Sequence, residues 1–190
     1  MKNRDHQEMY IDIQSILENE KIILYPLQEQ DFEDLYAVSA DPKIWEQHPN
    51  KDRWKKEVFK IFFDGAIQSK GAFKIVDKNN ENIIGSTRFY DFNIQENSIQ
   101  IGYTFYATKY WGKGINHSVK TLMLDYIFQF VTRVYFHIGA DNVRSQIAIS
   151  RLGTTKIREQ EVTYFGEQPK LNYVYSLTKE EWFSNKSVTA

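Results

Sequence analysis

Helices are predicted wherever apolar residues recur at the three- and four-residue spacing of a helix. This spacing is found over residues 28–40, 51–69 and 113–131. The last stretch has the longest pattern, formed by apolar residues on one side: Ile115, Val119, Leu122, Tyr126 and Phe130. A fourth helix is expected after Asp141-Asn142 and ends near Leu152-Gly153, where glycine is a natural helix stop.

Extended segments are predicted between the helices, where strand-forming residues cluster or alternate with polar ones. They cover residues 10–16, 21–26, 72–77, 82–92, 98–106, 134–138, 155–164 and 171–178. The order is helices first, then an antiparallel meander, then a strand–helix–strand unit that favours parallel pairing, which predicts one mixed α/β domain. We place this domain at residues 10–183, between a flexible polar arm of residues 1–9 and a short C-terminal tail of residues 184–190.

The composition fits one globular domain and narrows its partners. Of 190 residues, 42% are hydrophobic and 26% charged, which is an ordinary globular balance. The net charge of −1 argues against a nucleic-acid partner. No apolar run approaches the roughly 20 residues needed to cross a bilayer, and the N-terminus lacks the apolar segment of a signal peptide. We therefore expect a cytoplasmic protein with neither nucleic acid nor membrane as partner.

Several kinds of reactive site are also disfavoured. The chain has no cysteine, which excludes disulfides, thiolate metal sites and a cysteine nucleophile. No G-x-S-x-G signature supports a serine nucleophile with a His/Asp triad. No histidine lies at metal-ligand spacing from a carboxylate or another histidine, so we expect no metal. The four histidines are His6, His48, His117 and His137.

The segment from strand 98–106 into the helix at 113 is the most informative part of the chain. Its turn, residues 111–116, places unpaired backbone N–H groups beside the positive end of a helix dipole, which suits an anionic phosphate. Gly112 and Gly114 remove side chains where the backbone would approach such a ligand. As a nucleotide fingerprint the spacing is weak, because position 117 is histidine rather than glycine and no P-loop string occurs. On spacing alone, an ordinary tight turn is the competing interpretation.

Four further motifs follow one another in a recognisable order: Ile101-Gly102-Tyr103, Tyr110-Trp111-Gly112-Lys113-Gly114, Asn142-Val143-Arg144-Ser145 and Arg151-Leu152-Gly153. Their order and spacing resemble the GNAT superfamily of acyl-CoA N-acyltransferases. The branch that the chain resembles contains the RimJ/RimL-type ribosomal-protein N-terminal acetyltransferases, and the resemblance spans roughly residues 20–183. The family motif Gln/Arg-x-x-Gly-x-Gly/Ala is matched with Trp111 in its first place, but Asn116 replaces the final small residue.

The resemblance implies a fold and a cofactor. The fold is a mostly antiparallel sheet of six to seven strands, flanked by helices, in which one parallel strand pair is splayed apart at the cofactor site. The cofactor is acetyl-CoA, whose pantetheine arm lies at the end of strand 98–106 and whose diphosphate lies on the turn. The implied cofactor-binding residues are Thr104, Phe105, Tyr106, Trp111, Gly112, Lys113, Gly114, Ile115, Asn116, Asn142 and Ser145.

Asn142 and Ser145 have two interpretations. The local one is an N-cap asparagine with Ser145 in the first helical turn. The resemblance instead places the Asn142 side chain on the pantetheine amides and the Ser145 hydroxyl near the cofactor sulfur, as general acid for the leaving thiolate. Tyr173 and Tyr175 alternate in the last strand and are alternatives for that acid, with ordinary sheet packing as the competing interpretation.

The catalytic base is not identified by the sequence. Transfer to an amine needs a neutral nucleophile, and a carboxylate often takes the proton. Many relatives carry glutamate where this chain has Gln100, which is not a base. Three explanations stay open. The base lies elsewhere, with Asp91, Glu96 and His48 as candidates; the amine arrives neutral, as an N-terminal amine partly can; or the protein binds acyl-CoA without fast catalysis.

We therefore predict an N-acetyltransferase that moves an acetyl group from acetyl-CoA directly to a primary amine within a ternary complex. Ser145 is the predicted acid, Gln100 orients the acceptor, and the Phe105 backbone N–H polarises the thioester carbonyl. The acceptor is a protein or peptide N-terminus or a small-molecule amine. The alternative is a non-catalytic acyl-CoA sensor or interaction module. Homodimers are common in the branch, but the sequence identifies neither acceptor nor oligomeric state.

Overall fold

The computed structural model describes residues 11–163 and 168–189, within which the chain forms eight strands and five α-helices. The helices are α1 Phe32–Ser39, α2 Lys56–Gln68, α3 Ile115–Ile127, α4 Val143–Ser150 and α5 Lys179–Thr189. The strands are β1 Leu17–Glu18, β2 Ile22–Pro26, β3 Ala72–Asp77, β4 Ile83–Asn93, β5 Ser98–Tyr106, β6 Arg133–Gly139, β7 Thr155–Val162 and β8 Lys170–Thr178. The predicted arm of residues 1–9 and residue 164 of a predicted strand lie outside the described residues.

All eight strands belong to one sheet, in the order β1-β2-β3-β4-β5-β6-β8-β7. Every pair of neighbours is antiparallel except β5 and β6, which are parallel. The predicted mixed, mostly antiparallel sheet is thus confirmed, with two-residue β1 as an added edge strand. Residues 11–16 of the predicted extended segment 10–16 pair with no other strand, and pairing starts at Leu17.

The parallel pair separates soon after it begins. β5 and β6 are joined only through Ser98–Arg133, Ile99–Val134 and Gln100–Tyr135. Beyond these residues β5 stays paired with β4 and β6 with β8, so the two strands lead to different halves of the sheet. The result is a wedge between residues 101–106 of β5 and 136–139 of β6, here termed the strand opening. This is the splayed pair that the sequence resemblance implied.

A bulge bends β5 at the strand opening. Ser86 pairs with Phe105 and Arg88 with Gly102, so Thr87 faces two residues, Tyr103 and Thr104. Tyr103 takes the left-handed conformation, with φ of +51°. Its ring lies under the Arg88 guanidinium, whose Cζ is 3.8 Å from the ring centroid. The bulge sends the Thr104 side chain towards Thr87, with 2.8 Å between their hydroxyl oxygens.

Two apolar clusters pack on the sheet. One contains the buried residues of α3 together with Phe73 of β3; the other is built by α1, α2 and Trp45, and contains Ala72. Ala72 and Phe73 are neighbours in one strand, so their membership of different clusters reflects side chains on opposite faces. Phe105 belongs to the second cluster, with its ring centroid 5.0 Å from that of Trp45.

The helices depart from their predicted bounds where local geometry prevents a helix. α3 begins at Ile115 rather than 113, because Gly114 precedes it in the left-handed conformation, with φ of +76°. α2 begins at Lys56 rather than 51, because residues 51–54 form turns. α5 continues through the stretch that was predicted as a C-terminal tail.

Candidate functional site

A cavity of about 1180 Å³ occupies the strand opening. Small-molecule sites typically enclose about 300–1,000 Å³, so there is room for a large ligand. Its wall comes from β5, β6, the first turns of α3 and α4, and the connection that leads into α2. Most predicted site residues line it: Thr104, Phe105, Tyr106, Trp111, Gly112, Gly114, Ile115, Asn116, Asn142 and Ser145. Gln100 and Lys113 are not part of the wall.

The turn before α3 is held open by its glycines. Gly112 and Gly114 have φ of +72° and +76°, a conformation that glycine adopts without steric cost. A Cβ on either residue would meet nothing within 4 Å, so the space beside the backbone is free. Gly114 is the N-cap of α3. Because glycine has no side chain, the backbone N–H groups of the first turn donate no hydrogen bond to an N-cap side chain. This end of the cavity can therefore hold an anion.

Two hydrogen bonds tie the turn to the end of β5. The Tyr106 hydroxyl donates to Asn116 Oδ1 at 3.1 Å, and Trp111 Nε1 donates to the Tyr106 carbonyl at 3.1 Å. Burial raises the pKa of Tyr106, so its hydroxyl stays protonated and remains a donor. The Asn116 side chain thus contacts β5 rather than capping α3.

The peptide groups of β5 alternate between two edges. Ala107 N donates to the Ile84 carbonyl at 2.8 Å, and a Cβ on Gly85 would collide with the Phe105 carbonyl oxygen. Phe105 and Ala107 therefore face β4. By the same alternation the peptide groups of Thr104 and Tyr106 face the strand opening, where β6 offers them no ladder partner.

Asn142 and Ser145 lie together at the start of α4. Asn142 is 4% exposed and its Oδ1 accepts from Ser145 N at 3.1 Å, which is the N-cap of the local interpretation. Among the described residues Asn142 Nδ2 and Ser145 Oγ form no hydrogen bond, and both residues line the cavity. The cap therefore leaves one amide donor and one hydroxyl for a ligand. Tyr173 and Tyr175 do not line the cavity.

The candidate bases are dispersed. Asp91 and Glu96 are not in the cavity wall; Asp91 Oδ2 accepts from Gln100 Nε2 at 3.2 Å, and Glu96 from Ser98 Oγ at 3.3 Å. Burial raises the pKa of Asp91, partly offset by Arg88. His48 does line the cavity, but burial, reinforced by two arginines, lowers its pKa to about 3. A neutral imidazole of that pKa is too weak a base at physiological pH.

The charges in the cavity wall have one sign. Among the described residues it contains no aspartate or glutamate and five cations: Lys21, Arg53, Lys120, Arg144 and Arg151. Arg144 Cζ lies 3.9 Å from the Trp111 ring centroid, and Nη2 donates to the Ile44 carbonyl at 3.3 Å. Arg53 is buried over the Phe62 ring at 4.8 Å. A cationic cleft of this kind attracts an anionic ligand.

Sequence reasoning missed Lys120. This α3 residue is 2% exposed, lines the cavity, and donates from Nζ to Thr104 Oγ1 at 2.6 Å and Thr87 Oγ1 at 3.1 Å. Burial lowers its pKa to about 7. A signal was present, because Lys120 stands four residues before Leu124 and seven before Ile127, on an apolar side of the helix.

The described residues contain neither a candidate metal site nor a candidate membrane-spanning helix. There, no group of three or more histidine, cysteine, aspartate or glutamate residues is placed to hold a metal ion. Within the same residues, none of the helices combines the length and apolar character required to cross a membrane.

The sequence and the fold both have counterparts among known proteins. Residues 21–155 match the sequence model of a family described as "Acetyltransferase (GNAT) domain". No curated protein matches the chain.

Several solved structures share the fold. A GCN5-related N-acetyltransferase from Brucella melitensis is 18% identical, with a TM-score of 0.79 over 92% of this chain and 83% of that one. Spermidine N-acetyltransferase from Vibrio cholerae, in complex with CoA and spermine, is 15% identical, with a TM-score of 0.67 over 87% and 99%. A candidate ribosomal-protein-serine acetyltransferase from Vibrio cholerae is 17% identical, with a TM-score of 0.68 over 88% and 99%.

Proposed function

Because this chain belongs to the GNAT acetyltransferase family, we propose that it transfers an acetyl group from acetyl-CoA to the primary amine of an acceptor, by direct transfer in a ternary complex. The observation that carries the proposal is the cavity in the strand opening. One cavity holds the glycine turn, an unpaired strand edge and the free polar groups of Asn142 and Ser145. A long ligand with an anionic end and an amide-bearing arm needs these three features together.

The proposed seat of the cofactor follows the cavity wall. The diphosphate lies on the first turn of α3, where Gly112 and Gly114 expose backbone N–H groups. The pantetheine arm runs along the edge of β5 that faces the strand opening, where its amides bond to the peptide groups of Thr104 and to the N–H of Tyr106, whose carbonyl already accepts from Trp111 Nε1. Asn142 Nδ2 donates to the arm from the opposite wall. Lys113 is left outside, so we assign it no contact.

The chemistry needs positioning, carbonyl polarisation and a proton for the leaving group. The acceptor nitrogen bonds to the acetyl carbon while the carbon–sulfur bond breaks. We assign polarisation of the carbonyl to the backbone N–H of Thr104 or Tyr106, because the Phe105 peptide group faces β4. Ser145 Oγ–H donates its proton to the leaving thiolate, the acceptor nitrogen releases one of its protons to solvent, and Ser145 regains a proton from solvent. Gln100 is held by Asp91 outside the cavity wall, so we assign it a supporting role in the sheet and not contact with the acceptor.

The proposed acceptor is the α-amine of a protein or peptide N-terminus, as in the RimJ/RimL branch. The described cavity wall has no carboxylate to take a proton, so the amine must arrive neutral. At pH 7 about a tenth of α-amines are neutral, against fewer than about one in a thousand amines with a pKa near 10.4. A wall with Arg53 and Arg144 also repels a polycation such as a polyamine. We place the reaction in the cytoplasm.

A panel of acceptors tests this proposal. Thiol release from acetyl-CoA is measured with peptides that have a free N-terminus, with the same peptides acetylated at the N-terminus but containing lysine, and with spermidine. We expect turnover with the free N-termini alone. Turnover with spermidine or lysine and not with the N-terminal amines would overturn the choice of acceptor.

A second function is favoured by one observation, the lack of a carboxylate in the described wall together with glutamine at position 100. A protein built this way could bind acyl-CoA as a sensor or interaction module. Tight binding of acetyl-CoA without thiol release across the panel would support this function over the first.

A further inference from the structure

Lys120 is a buried cation whose hydrogen bonding is incomplete. An ammonium group has three N–H donors. Two of them are used by Thr104 Oγ1 and Thr87 Oγ1, at 2.6 and 3.1 Å. The third finds no acceptor among the described residues. Since Lys120 lines the cavity, this donor is available to a ligand there.

No opposite charge compensates the burial of Lys120. The residue is 2% exposed, and Val119 and Leu124 of the same helix are buried in an apolar cluster. Burial alone accounts for its lowered pKa, and no carboxylate opposes that effect. Burying a charge without a partner destabilises a fold, so an apolar residue would suit the ligand-free protein better.

A second polar group in the same cavity wall also lacks a partner. The hydroxyl of Thr121, the next residue of α3, is buried without a hydrogen bond and lines the cavity. Buried polar groups normally find partners. Two unsatisfied groups in one cavity wall indicate that a polar ligand completes them.

We propose that Lys120 is a cofactor-binding residue that donates its third N–H to an amide carbonyl oxygen of the pantetheine arm, while Thr87 and Thr104 hold the ammonium in place. This inference rests on the proposed function, because it needs coenzyme A in the cavity. The arm is favoured over the diphosphate by position. Lys120 lies six residues beyond Gly114, about 9 Å along the helix axis from the turn, and its Nζ contacts the side chain of Thr104, a residue whose peptide groups are proposed to bind the arm.

The proposed role of Lys120 predicts opposite effects on the stability of the protein and on its affinity for CoA. Replacing Lys120 by methionine removes the uncompensated charge and keeps the length of the side chain. The ligand-free variant should therefore melt at a higher temperature than the wild type while it binds CoA more weakly. A residue with a purely structural role would not change the two quantities in these opposite directions.

The decisive experiment is calorimetric titration of wild type and Lys120→Met with two ligands, CoA and 3′,5′-ADP, which has phosphates and adenosine but no arm. We expect CoA to bind the variant about 10- to 100-fold more weakly, as for one charge-assisted hydrogen bond, and 3′,5′-ADP to bind equally well. Lys109→Met, an exposed lysine outside the cavity wall, is the control and should change neither affinity.

The pH dependence gives a second readout. Protonated Lys120 is the donor, so CoA affinity should fall between pH 7 and 9 in the wild type and less so in Lys120→Met. Thr87 of β4 and Thr104 of β5 face the ammonium with hydroxyl groups that do not titrate in this range. Wild type and Lys120→Met share the histidines of the cavity wall, so these cannot cause a difference in the pH dependence of CoA affinity between the two proteins. They are His48, His117 and His137.

Each outcome is decisive. Equal losses for CoA and 3′,5′-ADP would move Lys120 to the phosphates, and unchanged CoA affinity would remove it from the site; either overturns the inference and leaves the proposed function intact. A wild type that binds no CoA overturns both.

If Lys120→Met does not fold, Thr87→Val takes its place, because Thr87 lies outside the cavity wall. We expect this variant to bind CoA more weakly and 3′,5′-ADP equally well. Unchanged affinities for both ligands would overturn the inference.

Discussion

The Tyr106 hydroxyl donates a hydrogen bond to Asn116 Oδ1 at 3.1 Å, which joins the last residue of β5 to the first turn of α3. In the proposed site these two elements hold the pantetheine arm and the diphosphate, so this bond sets the spacing between the two halves of the cofactor seat. It also gives Asn116, which stands where the family motif has a small residue, a partner that keeps its side chain against β5.

Tyr106→Phe removes this bond without changing the ring. We expect CoA affinity to fall by about three- to tenfold and stability by roughly 1 kcal/mol, the net value of a hydrogen bond. Calorimetry and thermal melting measure the two effects. Tyr110→Phe is the matched control, because its hydroxyl bonds to Asp77 instead of Asn116. Equal affinities for wild type and Tyr106→Phe would show that the bond has no part in binding.

Gly114→Trp should abolish most CoA binding, by a factor on the order of 100 or more, because the indole would fill the space over the turn. Gly114→Ala separates this effect from backbone strain. The left-handed backbone conformation costs alanine, like tryptophan, about 1–2 kcal/mol of stability. Alanine, however, adds only a Cβ in open space. We expect Gly114→Ala to melt earlier and to bind CoA with a much smaller loss. Similar affinities for the two variants would refute the placement of the diphosphate.

Ser145→Ala should lower the turnover number by about 100-fold, which is typical of a lost general acid, and leave the dissociation constant of acetyl-CoA nearly unchanged. The variant should also keep its stability, because Asn142 caps α4 through the backbone N of Ser145 rather than its hydroxyl. Steady-state kinetics and calorimetry measure this difference. A turnover number equal to that of the wild type would exclude Ser145 from the reaction.

The pH profile should follow the acceptor. With saturating acetyl-CoA and a peptide α-amine, kcat/KM for the acceptor is expected to rise about tenfold per unit of pH and level off near pH 8, as the amine loses its proton. His48 contributes nothing over this range, because its pKa of about 3 keeps it neutral throughout. Acceptors with different amine pKa values should shift the plateau accordingly. A midpoint that is the same for every acceptor would instead indicate a base on the protein.

Local features of the site could be predicted from the sequence because they depend on neighbouring residues. The N-cap at Asn142 follows from one side chain and the amide three residues on, and the turn before α3 follows from Gly112 and Gly114. The order of elements likewise predicted a mixed sheet with one parallel pair. The splay was implied by family resemblance and not by periodicity, because the pattern within β5 continues past Gln100, where pairing with β6 stops.

Features that depend on contacts between residues far apart in the chain could not be predicted in full from the sequence. The bulge at Tyr103 reflects a register slip against β4 and leaves no mark in the alternation of β5. The low pKa of His48 arises from burial and from two arginines that the fold brings near. The helical spacing of Lys120 from Leu124 and Ile127 indicates burial, but its contact with Thr104 depends on how α3 packs on β5.

The proposed site requires coenzyme A to bind in the strand opening with its diphosphate on the first turn of α3. The most direct test is a crystal structure of the protein grown with saturating CoA. We expect the diphosphate within hydrogen-bond distance of backbone N–H groups of residues 112–116, with the arm along β5. CoA bound elsewhere, or a strand opening filled by side chains and closed to the ligand, would contradict it.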